Sequence, residues 1–170
     1  LVNSNNNEKA NEYLVSFSSL LRQTLQVNDK EFIPVSEEVK MLEKYLYLEQ
    51  LRFSFNYSIT IEKGLENFEV PVFLLQPLVE NAVKHGVSSK QAGALIKLGF
   101  TGTTNTLLIS IEDNGTGFEV ENLAEGHGLR LVNQRIQLLN ESDSGKFITT
   151  KIDSEVSFGT KISLTISNTD

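Results

Sequence analysis

The feature that most constrains this chain is the order of three short motifs along it. Residues 76–86 read QPLVENAVKHG, residues 113–117 read DNGTG, and residues 126–129 read GHGL. The first offers an amide side chain on a helix, the second a carboxylate at a turn, and the third the bare backbone N–H groups of a glycine-rich helix start. Each motif alone is a weak signal, but together, in this order, they predict a site for a nucleotide and its magnesium ion.

The composition limits both the size of the fold and its partners. A chain of 170 residues that is 39% hydrophobic and 22% charged is typical of one soluble globular core. A net charge of −7 disfavours nucleic acid and anionic membranes as partners, so a phosphate ligand needs local donors. The absence of cysteine excludes disulfides, zinc–thiolate sites and cysteine nucleophiles, and no apolar run approaches the roughly 18 residues of a membrane span.

Hydrophobic periodicity divides the chain into a helical pair and a mixed segment. Residues 9–53 carry two apolar stripes at helical spacing, separated by a break at 28–30. With a third helix after Pro77 and a fourth at 129–139, the order of elements is ααβαββαββ. We therefore predict an α+β fold, a two-layer sandwich with a mixed, mostly antiparallel sheet and helices on one face. Alternating residues place its strands at 57–61, 94–100, 106–112, 147–152 and 160–166.

The helical pair leaves two points open. Ser36 is a candidate N-cap of the second helix, with Glu37 and Glu38 in its first turn, where negative charge suits the helix dipole. A stripe at helical spacing is usually core, but the stripe of the first helix could also be a dimer face or pack on a missing helix. Its members are Leu14, Phe17, Leu21 and Leu25.

Polar residues of the first motif share one helix face. Asn81 and His85 are four positions apart and Asn81 and Lys84 three apart, so their side chains are neighbours. Magnesium takes a few oxygen ligands from protein and the rest from phosphates and water, which suits a single Asn81 amide oxygen. Lys84 can meet phosphate as a point charge. The alternative is an ordinary amphipathic surface helix, whose buried side would be Leu78, Val79, Ala82 and Val83.

The second motif follows an alternating strand directly. Asn114-Gly115 is a strong hairpin signal, but Gly117 follows at once and the alternation stops. An ionised Asp113 at the strand end can accept a hydrogen bond from an exocyclic amine such as the N6 group of adenine. A purine with oxygen at that position would put acceptor against acceptor, and the pocket would reject it.

The third motif opens the helix at 129–139. Glycines let backbone approach a ligand, and a helix N-terminus attracts phosphate, although a flexible loop and cap is the alternative interpretation. The pattern is neither the dinucleotide fingerprint nor a Walker motif. Near the C-terminus, Gly159-Thr160 marks a tight turn into the final strand, and the Thr160 hydroxyl could support the carboxylate at the adenine end.

These residues resemble the motif boxes of the GHKL superfamily, which joins DNA gyrase, the large heat-shock chaperone, histidine kinases and MutL around the Bergerat ATP-binding fold. The sequence is most similar to that of the LytS-like sensor histidine kinases in residues 74–86, and also in residues 20–22, 45–53 and 128–135. The resemblance covers about residues 10–167. The matching positions are Asn81, Asp113, Gly115, Gly117, Gly126, Gly128, Gly159 and Thr160.

The resemblance implies a role for each of these positions. Asn81 would ligate magnesium, Asp113 would read adenine with support from Thr160, and Lys84 and His85 would lie near the phosphates. The residues between the second and third motifs would form a short ATP lid. Among the remaining positions, the adenine side would be shaped by Gly115 and Gly117, and the phosphates would be enclosed by Gly126, Gly128 and Leu129.

The resemblance also implies an organisation and partners. Residues 1–53 would be part of a helical dimerisation and phosphotransfer region, and residues 54–170 the ATP-binding catalytic domain. ATP and Mg²⁺ would be the cofactors, a response regulator the protein partner, and the whole protein a membrane-anchored homodimer with this part in the cytoplasm. Because the chain starts at Leu1 and not at Met, we expect it to be a piece of that longer protein.

Two departures from the family pattern affect activity. The only histidines, His85 and His127, fall inside nucleotide motifs, so the phosphoacceptor is expected before Leu1 and the fragment should bind ATP without phosphorylating itself. The position four residues before Asn81, where hydrolysing members carry a glutamate, is Pro77, which favours a kinase over an ATPase. The alternatives are a non-catalytic ATP-binding dimerisation or scaffold module, a conformational ATPase, and an anti-sigma serine kinase, which the leading helical pair fits poorly.

Overall fold

A computed structural model describes residues 4–87, 93–117, 127–156 and 158–169. The helices are α1 (Ser4–Val27), α2 (Val35–Gln50), α3 (Gln76–Asn81), which continues as a π-helix (Ala82–Val87), and α4 (His127–Glu141). The strands are β1 (Phe32–Pro34), β2 (Phe55–Ile61), β3 (Glu69–Pro71), β4 (Ala94–Gly102), β5 (Thr106–Asp113), β6 (Lys146–Glu155) and β7 (Gly159–Asn168). Apart from the three-residue strands β1 and β3, the order is the predicted ααβαββαββ.

The main sheet has five strands in the order β2-β4-β5-β7-β6. The β2–β4 pair is parallel and the other pairs are antiparallel. The strands β1 and β3 form a separate antiparallel ribbon beside it. This arrangement confirms the predicted α+β fold with a mixed, mostly antiparallel sheet.

The alternation of side chains explains why the helices lie on one face. In β4, Ile96, Leu98 and Phe100 are buried, whereas Lys97 between the first two and Thr101 after the last are exposed. Successive side chains of a strand point to opposite faces, so one face of the sheet is apolar and the other polar. Helices α2, α3 and α4 cover the apolar face and share one hydrophobic core with it.

The start of α2 differs from the prediction. The helix begins at Val35, after Pro34, and Ser36 therefore lies within its first turn and is not the N-cap. The helix begins without a side-chain cap because its first two N–H groups, those of Val35 and Ser36, donate to the carbonyls of Phe68 (2.8 Å) and Glu66 (2.9 Å). Glu38 does not face solvent at the dipole but is only 1% exposed.

Helix α1 packs on α2 with a largely polar contact. Lys44 on α2 donates hydrogen bonds to Ser19 Oγ (3.0 Å) and Gln23 Oε1 (2.8 Å) on α1. The predicted stripe of α1 is not part of the core, because its four members are 41% to 74% exposed. No helix among the described residues is long and apolar enough to cross a membrane.

Candidate nucleotide site

The first motif begins as an α-helix and changes to a π-helix at Ala82. Pro77 lies in the first turn of α3, where its missing N–H is not needed. Single π-helical turns are rare and are frequent at functional sites, because the wider turn shifts which residues face a ligand. The predicted buried side is confirmed, since Leu78, Val79, Ala82 and Val83 are at most 5% exposed.

The polar residues of this motif lie where a ligand could reach them. Asn81 ends α3 and is half-buried, while Lys84 and His85 in the π-helical turn are exposed. The charge of His85 acts on the carboxyl of Asp113, so the π-helical turn and the end of β5 lie close together. The structure thus brings the first two motifs to one place.

Gly86 makes that approach possible. A Cβ atom built on Gly86 would lie 2.6 Å from Cβ, Cγ and Oδ1 of Asp113, and one on Gly115 would lie 2.3 Å from the Cα of Gly86. Such distances are not seen for real Cβ atoms, so only glycines permit this contact. Gly86 was present in the motif, but its role depends on a partner 27 residues away and could not be predicted from spacing.

Asp113 is held from its own turn and from the neighbouring strand. Its Oδ1 accepts a hydrogen bond from the Gly115 N–H at 2.9 Å. Burial raises the pKa of Asp113 above its ordinary value, while the backbone N–H groups of Gly115 and Thr160 and the charge of His85 oppose that rise. A partly buried carboxylate with fixed donors on one side can present its remaining lone pairs to a ligand.

Thr160 supports this carboxylate differently from the way the sequence suggested. Thr160 pairs with Asp113 across the β5–β7 ladder, and it is the Thr160 N–H that stabilises the carboxylate. The Thr160 hydroxyl lies 3.1 Å from Ser154 Oγ on β6. The hydroxyl therefore belongs to a polar pair that joins β7 to β6.

Gly117 is the second glycine of the DNGTG motif, and its backbone requires a glycine. Its φ is +58°, and a Cβ would lie 2.0 Å from the carbonyl oxygen of Glu155. The left-handed conformation turns the chain away from the strand direction at this point. The motif is not a hairpin turn, because β5 pairs with β4 and β7 and not with β6, which follows it along the chain after α4.

Asn114 has a structural role that the sequence did not indicate. Its Oδ1 accepts from the Leu95 N–H at 2.8 Å, and its Nδ2 donates to the Gly93 carbonyl at 2.9 Å. The side-chain amide thereby continues the β4–β5 ladder by one pair beyond Asp113. This contact fixes the direction in which the Asp113 turn leaves the sheet.

Replacing Asn114 with aspartate is expected to lower the free energy of unfolding by about 1–3 kcal/mol, because a carboxylate cannot donate to the Gly93 carbonyl and would face it as a second acceptor. Urea denaturation of the variant and the parent chain measures this difference. The matched control is Asn105→Asp in the exposed turn between β4 and β5, which adds the same charge. Equal destabilisation by both variants would contradict the structural role of Asn114.

A cavity of about 540 Å³ lies at the Asp113 end of β5, β6 and β7. Its polar lining includes Asp113, Ser154 and Thr160 together with the charged residues Glu112, Asp153, Glu155 and Lys161, and Ile152 and Phe158 supply apolar surface. The volume suits a ligand of nucleotide size. Sequence analysis did not identify Ile152, Ser154 or Phe158, although the alternation of β6 places Ile152 and Ser154 on the helix-covered face.

The third motif is only partly within the described residues. Leu129 is buried in the first turn of α4 and anchors the start of that helix. Gly128 lies in the same turn. Gly126 and the predicted lid residues 118–125 lie outside the described residues.

The residues present fit a magnesium ion that arrives with a nucleotide. No group of three or more histidine, cysteine or acidic side chains that could hold a metal occurs within the four described segments. Magnesium commonly takes one or two protein oxygens and completes its shell with phosphate and water. The Asn81 amide oxygen at the end of α3 is the protein ligand that we predict for the metal. The metal would therefore be held jointly by Asn81 and the phosphates.

Comparison with known protein families gives two matches along the chain. Residues 1–57 match the family described as histidine kinase. Residues 71–170 match the family described as histidine kinase-, DNA gyrase B-, and HSP90-like ATPase.

Similar curated proteins are sensor kinases by name. The sensor protein LytS of Bacillus subtilis (strain 168) is 33% identical over 171 residues, covering 94% of this chain and 28% of the relative. The sensor histidine kinase BtsS of Escherichia coli (strain K12) is 30% identical over 149 residues, covering 86% of this chain and 26% of the relative. The chain thus spans about a quarter of the length of the curated relatives it matches.

Solved structures share the fold at low identity. The histidine kinase domain of the Erythrobacter litoralis EL346 blue-light activated histidine kinase superposes with a TM-score of 0.65 at 19% identity, covering 91% of this chain and 79% of that one. The Acinetobacter baumannii histidine kinase AdeS gives 0.63 at 17% identity, covering 94% and 80%. At these identities the likeness concerns the fold.

Proposed function

The chain belongs to the histidine kinase-, DNA gyrase B- and HSP90-like ATPase family, and from that premise we propose that it is the ATP-binding catalytic part of a two-component sensor histidine kinase. It would transfer the γ-phosphoryl group of ATP to a histidine outside residues 1–170 and onward to a response regulator. The observation that carries this proposal is the partly buried Asp113 carboxylate, which lines the cavity, is held by the Gly115 N–H and lies against the π-helical turn.

Each predicted residue has a role in the proposal. Asp113 accepts a hydrogen bond from the adenine amine, and Asn81 ligates the magnesium that bridges the phosphates. Lys84 neutralises phosphate charge, with His85 beside it. The adenine side of the site is shaped by Gly115, Gly117 and Thr160. The phosphates are enclosed by Gly126, Gly128 and Leu129.

The chemistry would depend on positioning and charge neutralisation. In phosphoryl transfer the protein orients the donor and stabilises charge on the transferred group. Pro77 stands where a water-activating glutamate would be needed for hydrolysis, and Glu80 is exposed and accepts a hydrogen bond from Gln76 Nε2 at 3.0 Å. These features favour transfer to a protein histidine over ATP hydrolysis.

The organisation of the longer protein is also part of the proposal. Residues 1–53 would belong to the helical dimerisation and phosphotransfer region and residues 54–170 to the catalytic domain, although α2 already shares the hydrophobic core of the sheet. The exposed apolar stripe of α1 suits a homodimer contact. We place this part in the cytoplasm of a membrane-anchored protein.

The second candidate is a non-catalytic ATP-binding dimerisation or scaffold module. The same exposed stripe of α1 favours it, because such a surface can join copies of the chain whether or not phosphate is transferred. Tight, magnesium-dependent ATP binding would favour the kinase. ATP binding without phosphoryl transfer to a histidine of the longer protein would favour the scaffold.

Isothermal titration calorimetry with ATP, with and without Mg²⁺, tests the nucleotide and magnesium site on which the kinase proposal depends. In Asn81→Ala we expect the affinity with magnesium to fall to within about threefold of the affinity without it, because the protein oxygen ligand is lost. The matched control is Glu80→Gln, which alters the adjacent exposed side chain and should keep the magnesium enhancement. If the enhancement persists in Asn81→Ala, then Asn81 does not ligate the metal.

A further inference from the structure

Glu38 is a buried charged residue that the proposed function does not use. It lies on α2, is 1% exposed, and is surrounded by core residues. Neither carboxyl oxygen completes a hydrogen bond with any of the described residues. A carboxyl group in such a place is costly to keep, so its surroundings indicate what it does.

The turn that leads into α3 faces this carboxyl. Within the turn, the Leu74 N–H donates to the Pro71 carbonyl at 3.2 Å, while the N–H groups of Leu75 and Phe73 act on Glu38. The N–H groups of Leu75 and Phe73 lie close enough to stabilise the ionised form of Glu38, but they are not aligned to form hydrogen bonds with it. Phe73 has a φ of +56°, a conformation that a bulky residue keeps only where its neighbours impose it.

Charges from two helices act on the same carboxyl. Burial raises the pKa of Glu38 from its ordinary value to about 7. The Leu75 N–H, the charge of Arg135 on α4 and the Phe73 N–H oppose this rise, while the neighbouring Glu37 on α2 adds to it. Glu38 therefore stands where α2, the entry to α3 and α4 meet.

We propose that Glu38 is a positioning residue for the nucleotide site. Its carboxylate holds the turn that leads into α3, and the side of α4 that carries Arg135, in a fixed position relative to α2. The inference rests on the proposed function, because α3 ends at Asn81 and α4 begins next to Leu129, on the two sides of the proposed phosphate position. A change in α2 would reach both sides of the nucleotide through this one side chain.

The test is the ATP affinity of the parent chain and of Glu38→Gln from pH 6 to pH 8. The amide has the size of the carboxyl but cannot ionise, and at pH 6 the parent carboxyl is itself largely protonated. We expect the ratio of the two dissociation constants to be near one at pH 6 and to reach about five- to tenfold at pH 8. Taking the ratio cancels the titration of ATP and of the other groups in the site.

Two further variants sharpen this test. Glu43→Gln is the matched control, because Glu43 is an exposed carboxyl on the same helix that is not among the groups acting on Glu38, and its ratio should stay near one at every pH. Arg135→Gln should reproduce the effect of Glu38→Gln at pH 8, and the double variant should be no worse than either. A pH-independent ratio for Glu38→Gln, or additive effects of the two substitutions, would overturn the proposal.

A readout without nucleotide separates this proposal from the proposed function. In NMR spectra at pH 8, Glu38→Gln should shift the backbone amide signals of Leu75 and Leu129, while Glu43→Gln should not. Shifted signals in a chain that binds no ATP would retain the positioning role and reject the kinase. Normal ATP binding with unmoved signals would reject the positioning role alone.

Thermal unfolding gives a second nucleotide-free check with a definite sign. The folded pKa of Glu38 lies above the value for an unfolded chain, so the folded state should lose stability as pH rises from about 4.5 towards 7. Glu38→Gln should lack this loss and unfold at a higher temperature than the parent at pH 8. Parallel pH profiles would show that the carboxyl does not titrate in the buried state.

Discussion

ATP binding is expected to weaken about 10- to 100-fold when Asp113 is replaced by asparagine, since a hydrogen bond to a charged group contributes about 1.5–3 kcal/mol. The amide oxygen of the variant would turn to the N–H groups of Gly115 and Thr160, which already face this side chain. Its NH₂ group would then point into the cavity, so donor would meet donor at the adenine amine. The same NH₂ group could donate to a purine oxygen, so the preference for ATP over GTP should narrow.

Calorimetric titration with ATP and with GTP measures both effects. Asp143→Asn is the matched control, because it makes the same substitution at an exposed carboxylate in the turn between α4 and β6, outside the cavity lining. Unchanged ATP affinity in the Asp113 variant, or equal losses in both variants, would reject Asp113 as the adenine acceptor.

Replacing Gly86 with alanine is expected to abolish measurable ATP binding and to lower the free energy of unfolding by about 1–3 kcal/mol, the usual cost of overpacking. The new methyl group would lie 2.6 Å from three atoms of Asp113, so the π-helical turn or the end of β5 must move. Either movement displaces Asp113 relative to Lys84 and His85. Urea denaturation and ATP titration of the same sample measure the two effects.

Gly99→Ala is the control for the loss of a glycine. Its methyl group would meet Ser110 Oγ at 2.8 Å, which is the rotatable end of a side chain on the polar face. We expect near-normal stability and ATP binding in this variant. If Gly86→Ala also bound ATP normally, the close approach of the π-helical turn to Asp113 would not shape the site.

Much of the fold could be predicted because it depends on short-range patterns. Alternation in β4 to β7 and helical spacing in α2 and α4 identify elements whose apolar faces must be buried. The strands β1 and β3 were missed because three residues are too few to show alternation. The family prediction is confirmed by the family match over residues 71–170. It could be made from the sequence because the three motifs are short and local.

Other features depend on partners that are distant in sequence. The Asn114 amide bonds to Gly93 and Leu95, and nothing in the DNGTG motif indicates that its second residue continues the sheet. Thr160 supports Asp113 through its N–H because the register of β5 against β7 places them opposite each other. The type of a residue limits the contacts that it can make, but strand register and packing determine which of those contacts form.

The sequence by itself determined the family and the order of the elements, and it indicated candidate residues for binding a nucleotide, because these depend on residue type and spacing. Only the tertiary structure decided that Gly86 contacts Asp113, that Glu38 is buried, and that the α1 stripe is exposed. The physical reason is that burial and close approach are properties of surfaces brought together by folding. A local sequence pattern does not specify which surface its residues will pack against.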